Sequence, residues 1–280
     1  NSARNPGSGN ARGGALSRPS QHKPAFAAID LGTNNCRLLI ARPAGEHFVV
    51  IDAFSRVVRL GEGLAQTGRL SQAAMDRALG ALQVCADKLM RRNVHLARSV
   101  ATEACRRAEN GPDFIERVKA ETGIVLDIIS AGEEARLAVM GCHLLLEAGD
   151  GPAMIFDIGG GSTELVLVEA EGGQVPRIRD WQSVPWGVVS LTETCGPEPD
   201  DDVGRAARYE HMRQLVRDSL APFAERIAET LEQHNENVRR WREMNGEAGA
   251  AHDLIESPRD QSNHVPAAII QKDKAHRKKR

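Results

Sequence analysis

The sequence predicts an α/β protein of two similar units facing each other across a cleft, the second of them incomplete. Three observations carry this reading. Two acidic, glycine-bearing turns, "IDLGTNN" (29–35) and "FDIGGGST" (156–163), each lie between apolar runs of strand length. Their aspartates, Asp30 and Asp157, are 127 residues apart (157 − 30), the period of a whole α/β unit rather than of a short repeat. After about residue 229 the text turns polar, and "VPAAII" is its one weak strand signal.

Taken in order, residues 1–23 carry arginines and a lysine but no acid, and read as a disordered basic tail. The first unit spans 24–148. "FAAID", "CRLLIA" and "HFVVIDAFSRVVRL" are strands joined by the turn-formers Gly32 to Asn35 and Pro43 to Gly45, an antiparallel meander. Ser71 caps a helix running to about Arg92, with Met75, Leu79, Leu82, Val84 and Leu89 at apolar spacing. A strand at "HLARSVAT", a short helix at "EACRRAE", a helix from Pro112 to Thr122, the strand "IVLDIIS" and the helix "GEEARLAVMGCHLLLEA" follow. This is the element order of a ribonuclease-H-like unit. At Gly149–Pro152 the pattern restarts with strand, acidic turn, strand, hairpin turn and strand, and a second unit is assigned to 149–228. Past "GPEPDDDVG" a helix is expected to about Arg226, kinked at Pro222, with helical continuation open as far as Met244. Residues 229–280 read as a divergent polar tail.

Composition narrows the class. With 280 residues and 41% hydrophobic content the chain can bury a real core. A net charge of −2 gives no global field to attract nucleic acid or a membrane. Five scattered cysteines without a CxxC pair fit a reducing compartment, and no apolar run has membrane-spanning length. The cytoplasm is the expected location, and homodimer formation stays open.

The two turns carry the chemistry. A strand that ends in Asp and turns through glycine leaves several backbone N–H groups unpaired, a nest suited to phosphate oxygens. The donors are Gly32, Thr33 and Asn34 in the first turn and Gly159, Gly160, Gly161, Ser162 and Thr163 in the second, with the side chains of Thr33, Asn34, Ser162 and Thr163 adding to the backbone. Asp30 and Asp157, at the strand ends, suit a hydrated Mg2+, a hard cation that takes one or two carboxylates and keeps its waters. Glu133 and Glu134 open a helix, where the positive end favours a carboxylate, but they cannot point the same way. His143 reads as a packed core residue, and Trp181 and Trp186 as core or interdomain packing.

"AAIDLGTNN", "RLGEGL", "ATEACRRAEN", "ISAGEEARLAVMG" and "FDIGGGSTELVLVE", in that order, resemble the exopolyphosphatase/guanosine pentaphosphate phosphatase family, part of the actin, Hsp70 and sugar kinase superfamily. The resemblance covers about residues 24–226. It implies two actin-like ATPase domains, a phosphoanhydride hydrolase, Mg2+, and polyphosphate or guanosine pentaphosphate as substrate. It also implies Glu134 as catalytic base, Arg106 as a phosphate contact and Asp157 with Glu164 as metal ligands. Strand alternation makes those two acids awkward neighbours unless the glycine turn bulges. Arg107 reads as a solvated surface residue. "GVVSLTE", after Trp186, resembles a helix start of structural role. A further "G-x-S-G-T" turn of the family is absent after Pro222, so one sheet edge and one face of the second unit should lack cover. Such a chain is expected to be protease-sensitive after about residue 150 and poorly active. A sugar kinase or ATPase of the superfamily, and a non-catalytic phosphate- or alarmone-binding remnant, are the alternative readings.

Overall fold

The computed structural model of the chain describes residues 23–45, 47–146, 152–169 and 175–245. The expectations for the N-terminal tail as far as residue 22, for the hairpin turn at 170–174 and for "VPAAII" fall outside these residues.

β1 (Ala25–Leu31), β2 (Asn35–Ala44) and β3 (His47–Val57) form the expected antiparallel meander. β4 (Val94–Ala101) and β5 (Asp127–Ile128) add in parallel on the other side of β1, giving the order β3-β2-β1-β4-β5. Parallel neighbours need crossovers. α2 (Gln72–Arg91) makes the first, after the single turn α1 (Leu64–Thr67), and α3 (Glu103–Arg107) with α4 (Gly111–Thr122) makes the second.

Alternation decides which face is buried. Ile29, Leu31, Cys36, Leu38 and Ile40 point to one side of the sheet and are sealed by Ala74, Ala78, Leu82 and Cys85 of α2. The Ser71 hydroxyl accepts from the Ala74 N–H at 3.2 Å, the expected cap. The expected strand over 124–130 shrinks to two residues, because β4 offers β5 only Val100 and Ala101 as partners. Ile124 and Leu126 turn into the core instead.

The second sheet is antiparallel, β6 (Pro152–Ile158), β7 (Thr163–Glu169) and β8 (Arg177–Val184) in chain order. The expected bare face is covered, by a helix that sequence order assigns to the first unit. On one side Ala135 and Val139 of α5 (Ala131–Cys142) pack on Ile155, Val166 and Val168. On the other, Phe223 of α7 (Asp202–Asn245) packs on Leu165, Leu167 and Val184. Periodicity shows that α5 has an apolar face but not which sheet receives it. The exposed apolar residues of this sheet include Phe156 and Ile158 on β6.

α7 runs through Pro222 to Asn245, well past Arg226. The carbonyl that proline leaves without a helix partner belongs to Asp218, which is exposed and can be met by water. α6 (Val188–Thr194) is the helix anticipated at "GVVSLTE". His143 is not a core residue: it is half-buried in the 3-10 turn that ends α5, where its Nδ1–H donates to the Met140 carbonyl at 2.8 Å. Trp186 packs against the α7 side of the sheet, its Nε1–H donating to Ser219 Oγ at 2.6 Å. Trp181 lies over Gly132 and is 42% exposed.

Candidate active site

The two turns repeat one geometry. Gly32 N–H donates to the Asn35 carbonyl and Gly159 N–H to that of Ser162, both at 2.9 Å, each pair 127 residues from its counterpart. In both turns the carbonyls are engaged from behind. Asn34 O accepts from Val58 and Arg59, and Thr33 O from Gly61. Gly159 O accepts from Val188, and Gly160 O from Val189 and Ser190, so the start of α6 docks on the second turn. The N–H groups of Thr33, Asn34, Gly160, Gly161 and Ser162 meet no backbone acceptor among the described residues. Carbonyls held back and amides left over make a donor-lined surface for an anion.

The turns touch. A Cβ built on Gly160 would lie 3.1 Å from the Asn34 nitrogen and the Thr33 side chain, and one on Gly161 2.6 Å from Thr33 Oγ1. Behind them, a Cβ on Gly187 would meet the Gly160 carbonyl carbon at 2.4 Å and the Gly159 oxygen at 2.6 Å, both backbone atoms that cannot swing aside. Gly187→Ala is therefore expected to destabilise the fold by about 1–3 kcal/mol, the range of overpacking a tight site. It should also weaken binding of orthophosphate, because the second turn is pushed out of line. Thermal melts and phosphate titration check both, and an unchanged melting point would contradict the contact.

Of the expected side-chain donors, two are committed elsewhere. Thr163 Oγ1 donates to the Trp186 carbonyl at 2.6 Å, and the buried Ser162 hydroxyl bonds to Glu164. Thr33 and Asn34 remain at the junction of the turns.

Asp157 and Glu164 are direct register partners across β6 and β7, so their side chains share a face without a bulge. That corrects the expectation of awkward neighbours: the odd–even count misleads because the hairpin folds the strand back on itself. In the first hairpin the same place pairs Asp30 with Arg37. Glu164 is 1% exposed and accepts from Ser183 Oγ at 2.8 Å. Burial pushes its carboxyl up, against the hydrogen bonds from Ser183 and Ser162.

Glu134, in the first turn of α5, faces this pair. Burial, then the Glu164 charge, push its carboxyl up to about 7, with Arg106 opposing and Asp157 adding. Glu133 points away and pairs with Arg136, which holds it below the usual range. Arg106 is fixed by three groups: Nη1 donates to the Ile129 carbonyl at 2.8 Å and to Glu134 at 3.2 Å, and Nη2 to Glu103 at 2.5 Å. Arg106, Glu134, Asp157 and Glu164 thus come together, and Asp30 takes the equivalent place in the first hairpin. Among the described residues no group of three or more His, Cys, Asp or Glu is arranged to hold a metal ion.

Sequence reasoning missed Glu103 and Ser183. The i, i+3 spacing from Glu103 to Arg106 on a short helix is a legible signal for the first. Ser183 becomes visible only through β8 pairing, which sets it opposite Glu164. Arg107, read as a solvated surface residue, is exposed, with a 3.7 Å contact to Glu103.

Residues 39–273 match the Ppx/GppA phosphatase family. The chain belongs to that family. The match runs past residue 226, where the motif-borne resemblance ends. Exopolyphosphatase 2 of Mycobacterium tuberculosis is 35% identical to this Ppx/GppA chain over 208 residues, 70% of this chain and 61% of the relative. An exopolyphosphatase from Cytophaga hutchinsonii superposes with a TM-score of 0.64 at 27% identity, covering 73% of this chain and 63% of that one. The Aquifex aeolicus member of the Ppx/GppA family gives 0.57 at 30% identity, covering 71% and 62%. The chain spans about three fifths of the length of these relatives.

Proposed function

We propose that this chain carries the catalytic face of a phosphoanhydride hydrolase that removes the terminal phosphoryl group of inorganic polyphosphate. One observation supports this above the others: a partly buried carboxyl, Glu134, titrates near neutrality beside a fixed guanidinium and two amide-lined turns. A base with a value near the working pH combines a useful ionised fraction with a real drive to accept a proton. Water takes its orientation from Glu134 and attacks the terminal phosphorus, Glu134 accepts the proton, and the shortened chain departs with the bridging oxygen. Arg106 and the amides of the turns neutralise the charge that spreads over the equatorial oxygens. The turns are in contact, so they part to admit a phosphoryl group.

The residues suit Mg2+. Glu134 faces Asp157 and Glu164, an acid cluster whose charge a cation would neutralise as an anionic substrate approaches. Asp157 and Glu164, on one face, would hold it. When bound it supplies charge neutralisation at the phosphoryl oxygens. Asp157→Asn is expected to raise the Mg2+ concentration for half-maximal rate several-fold, and EDTA to abolish turnover. Hydrolysis undiminished in EDTA would remove the metal from the reading.

The inorganic chain is preferred over guanosine pentaphosphate because the relatives at 35% and 27% identity are exopolyphosphatases. Phosphate release from the two substrates, measured side by side with Mg2+, tests this. Release from neither, with binding retained, would favour a non-catalytic phosphate-binding role.

A further inference from the structure

We infer that Ser183 is a positioning residue: its hydroxyl holds the Glu164 carboxylate in the orientation that receives Mg2+. This rests on the reading that Asp157 and Glu164 take the cation for removal of a phosphoryl group. Asp157, Glu164 and Ser183 are successive register partners across β6, β7 and β8, so their side chains form one row on one face of the sheet. That face looks toward α5. Trp181, which shares it two residues before Ser183, lies against Gly132 in the same helical turn that carries Glu134.

The first hairpin repeats the row with one exchange. Its register partners are Asp30, Arg37 and Ser55, so a guanidinium stands where the second hairpin has Glu164. Two carboxylates side by side repel each other, and an exposed one turns its charge out into water. Glu164 is 1% exposed and has no such escape. Ser183 Oγ donates its one proton to Glu164 Oε1 at 2.8 Å, and the Ser162 hydroxyl also bonds to this carboxyl. An ionised carboxylate offers about four acceptor positions. The two serines occupy two of them and fix the rotation of the group, which leaves lone pairs for a cation shared with Asp157. Groups that hold a ligating side chain in this way typically contribute about 10–100-fold to metal affinity. Ser162 is also part of the second turn, so Ser183 on β8 is the member of the pair that can be changed without touching the phosphate-facing backbone.

The test is calorimetric titration of the full chain with Mg2+ alone, with melting points taken in EDTA and phosphate release from polyphosphate measured alongside. Ser183→Ala is expected to weaken Mg2+ binding about tenfold, and to raise the Mg2+ concentration for half-maximal release by a similar factor. Ser183→Thr keeps the hydroxyl and suits a strand, and should bind Mg2+ within about threefold of wild type. A purely structural role would lower the melting point in EDTA and leave the Mg2+ affinity where it was. That result overturns the proposal, as do equal losses in Ser183→Ala and Ser183→Thr, or a wild-type chain that binds no Mg2+. Ser183-dependent Mg2+ binding without phosphate release leaves the positioning role standing and removes the hydrolase reading. Release with Ser183-independent Mg2+ binding does the reverse.

Discussion

Glu134→Gln is expected to reduce phosphate release from polyphosphate by roughly 100-fold or more while polyphosphate still binds, the effect of removing a general base. Glu133→Gln should change the rate little, because that side chain is engaged with Arg136 on another face of the helix. The wild-type rate should rise with pH through about 7, where Glu134 loses its proton. Stability moves the opposite way. The folded carboxyl titrates near 7 and the unfolded one near 4.5, so the native chain holds the proton more tightly. The stabilisation this gives is complete below about 4.5 and is lost as pH rises through 7. At pH 8 the ionised, buried carboxylate opposes folding, and Glu134→Gln should melt higher than wild type, whereas at pH 5 the two should lie closer. A variant that is both inactive and less stable at pH 8 would mark Glu134 as structural rather than catalytic. If Glu133→Gln and Glu134→Gln behave alike, the assignment of the base is wrong.

What could be seen in the sequence was what repeats locally. The strands "FAAID" and "CRLLIA" were legible as apolar runs between turn-formers, and Ser71 announced α2, because runs, turns and caps are properties of neighbouring residues. The two turns were legible for the same reason, and their 127-residue offset holds down to the Gly32–Asn35 and Gly159–Ser162 hydrogen bonds. What escaped depended on contacts between distant segments. No pattern within α5 says that Ala135 and Val139 belong to the second sheet, and that docking brings Glu134 toward Glu164. Strand alternation misjudged Asp157 and Glu164, since it counts along a chain that the hairpin doubles back. The hydroxyls of Ser162 and Thr163 looked like phosphate donors until their partners, Glu164 and the Trp186 carbonyl, were placed.

Arg106→Ala is expected to be the most disruptive single change in the site, in both stability and rate. It strips a partner from the Ile129 carbonyl, from Glu134 and from Glu103, whose side chains are 19% and 11% exposed. Removing one member of a buried ion pair typically costs about 3–5 kcal/mol, because the carboxylates stay behind without compensation. For a chain of this size that lowers the melting point by on the order of 10 °C. The loss should be smaller at pH 5 than at pH 8, since Glu134 takes up a proton below about 7 and no longer needs the guanidinium. Turnover should fall by roughly 100-fold or more, comparable to losing one donor from an anion-stabilising site. Arg106→Lys should rescue neither, because a single ammonium cannot reproduce a planar fork that places Nη1 on Ile129 and Glu134 and Nη2 on Glu103. Retention of both stability and rate in Arg106→Lys would show that charge alone suffices. The double variant Glu103→Gln, Arg106→Gln separates the two roles. It removes one stranded carboxylate together with its cation, so stability should largely return, while the phosphoryl oxygens still lack their guanidinium and the rate stays low.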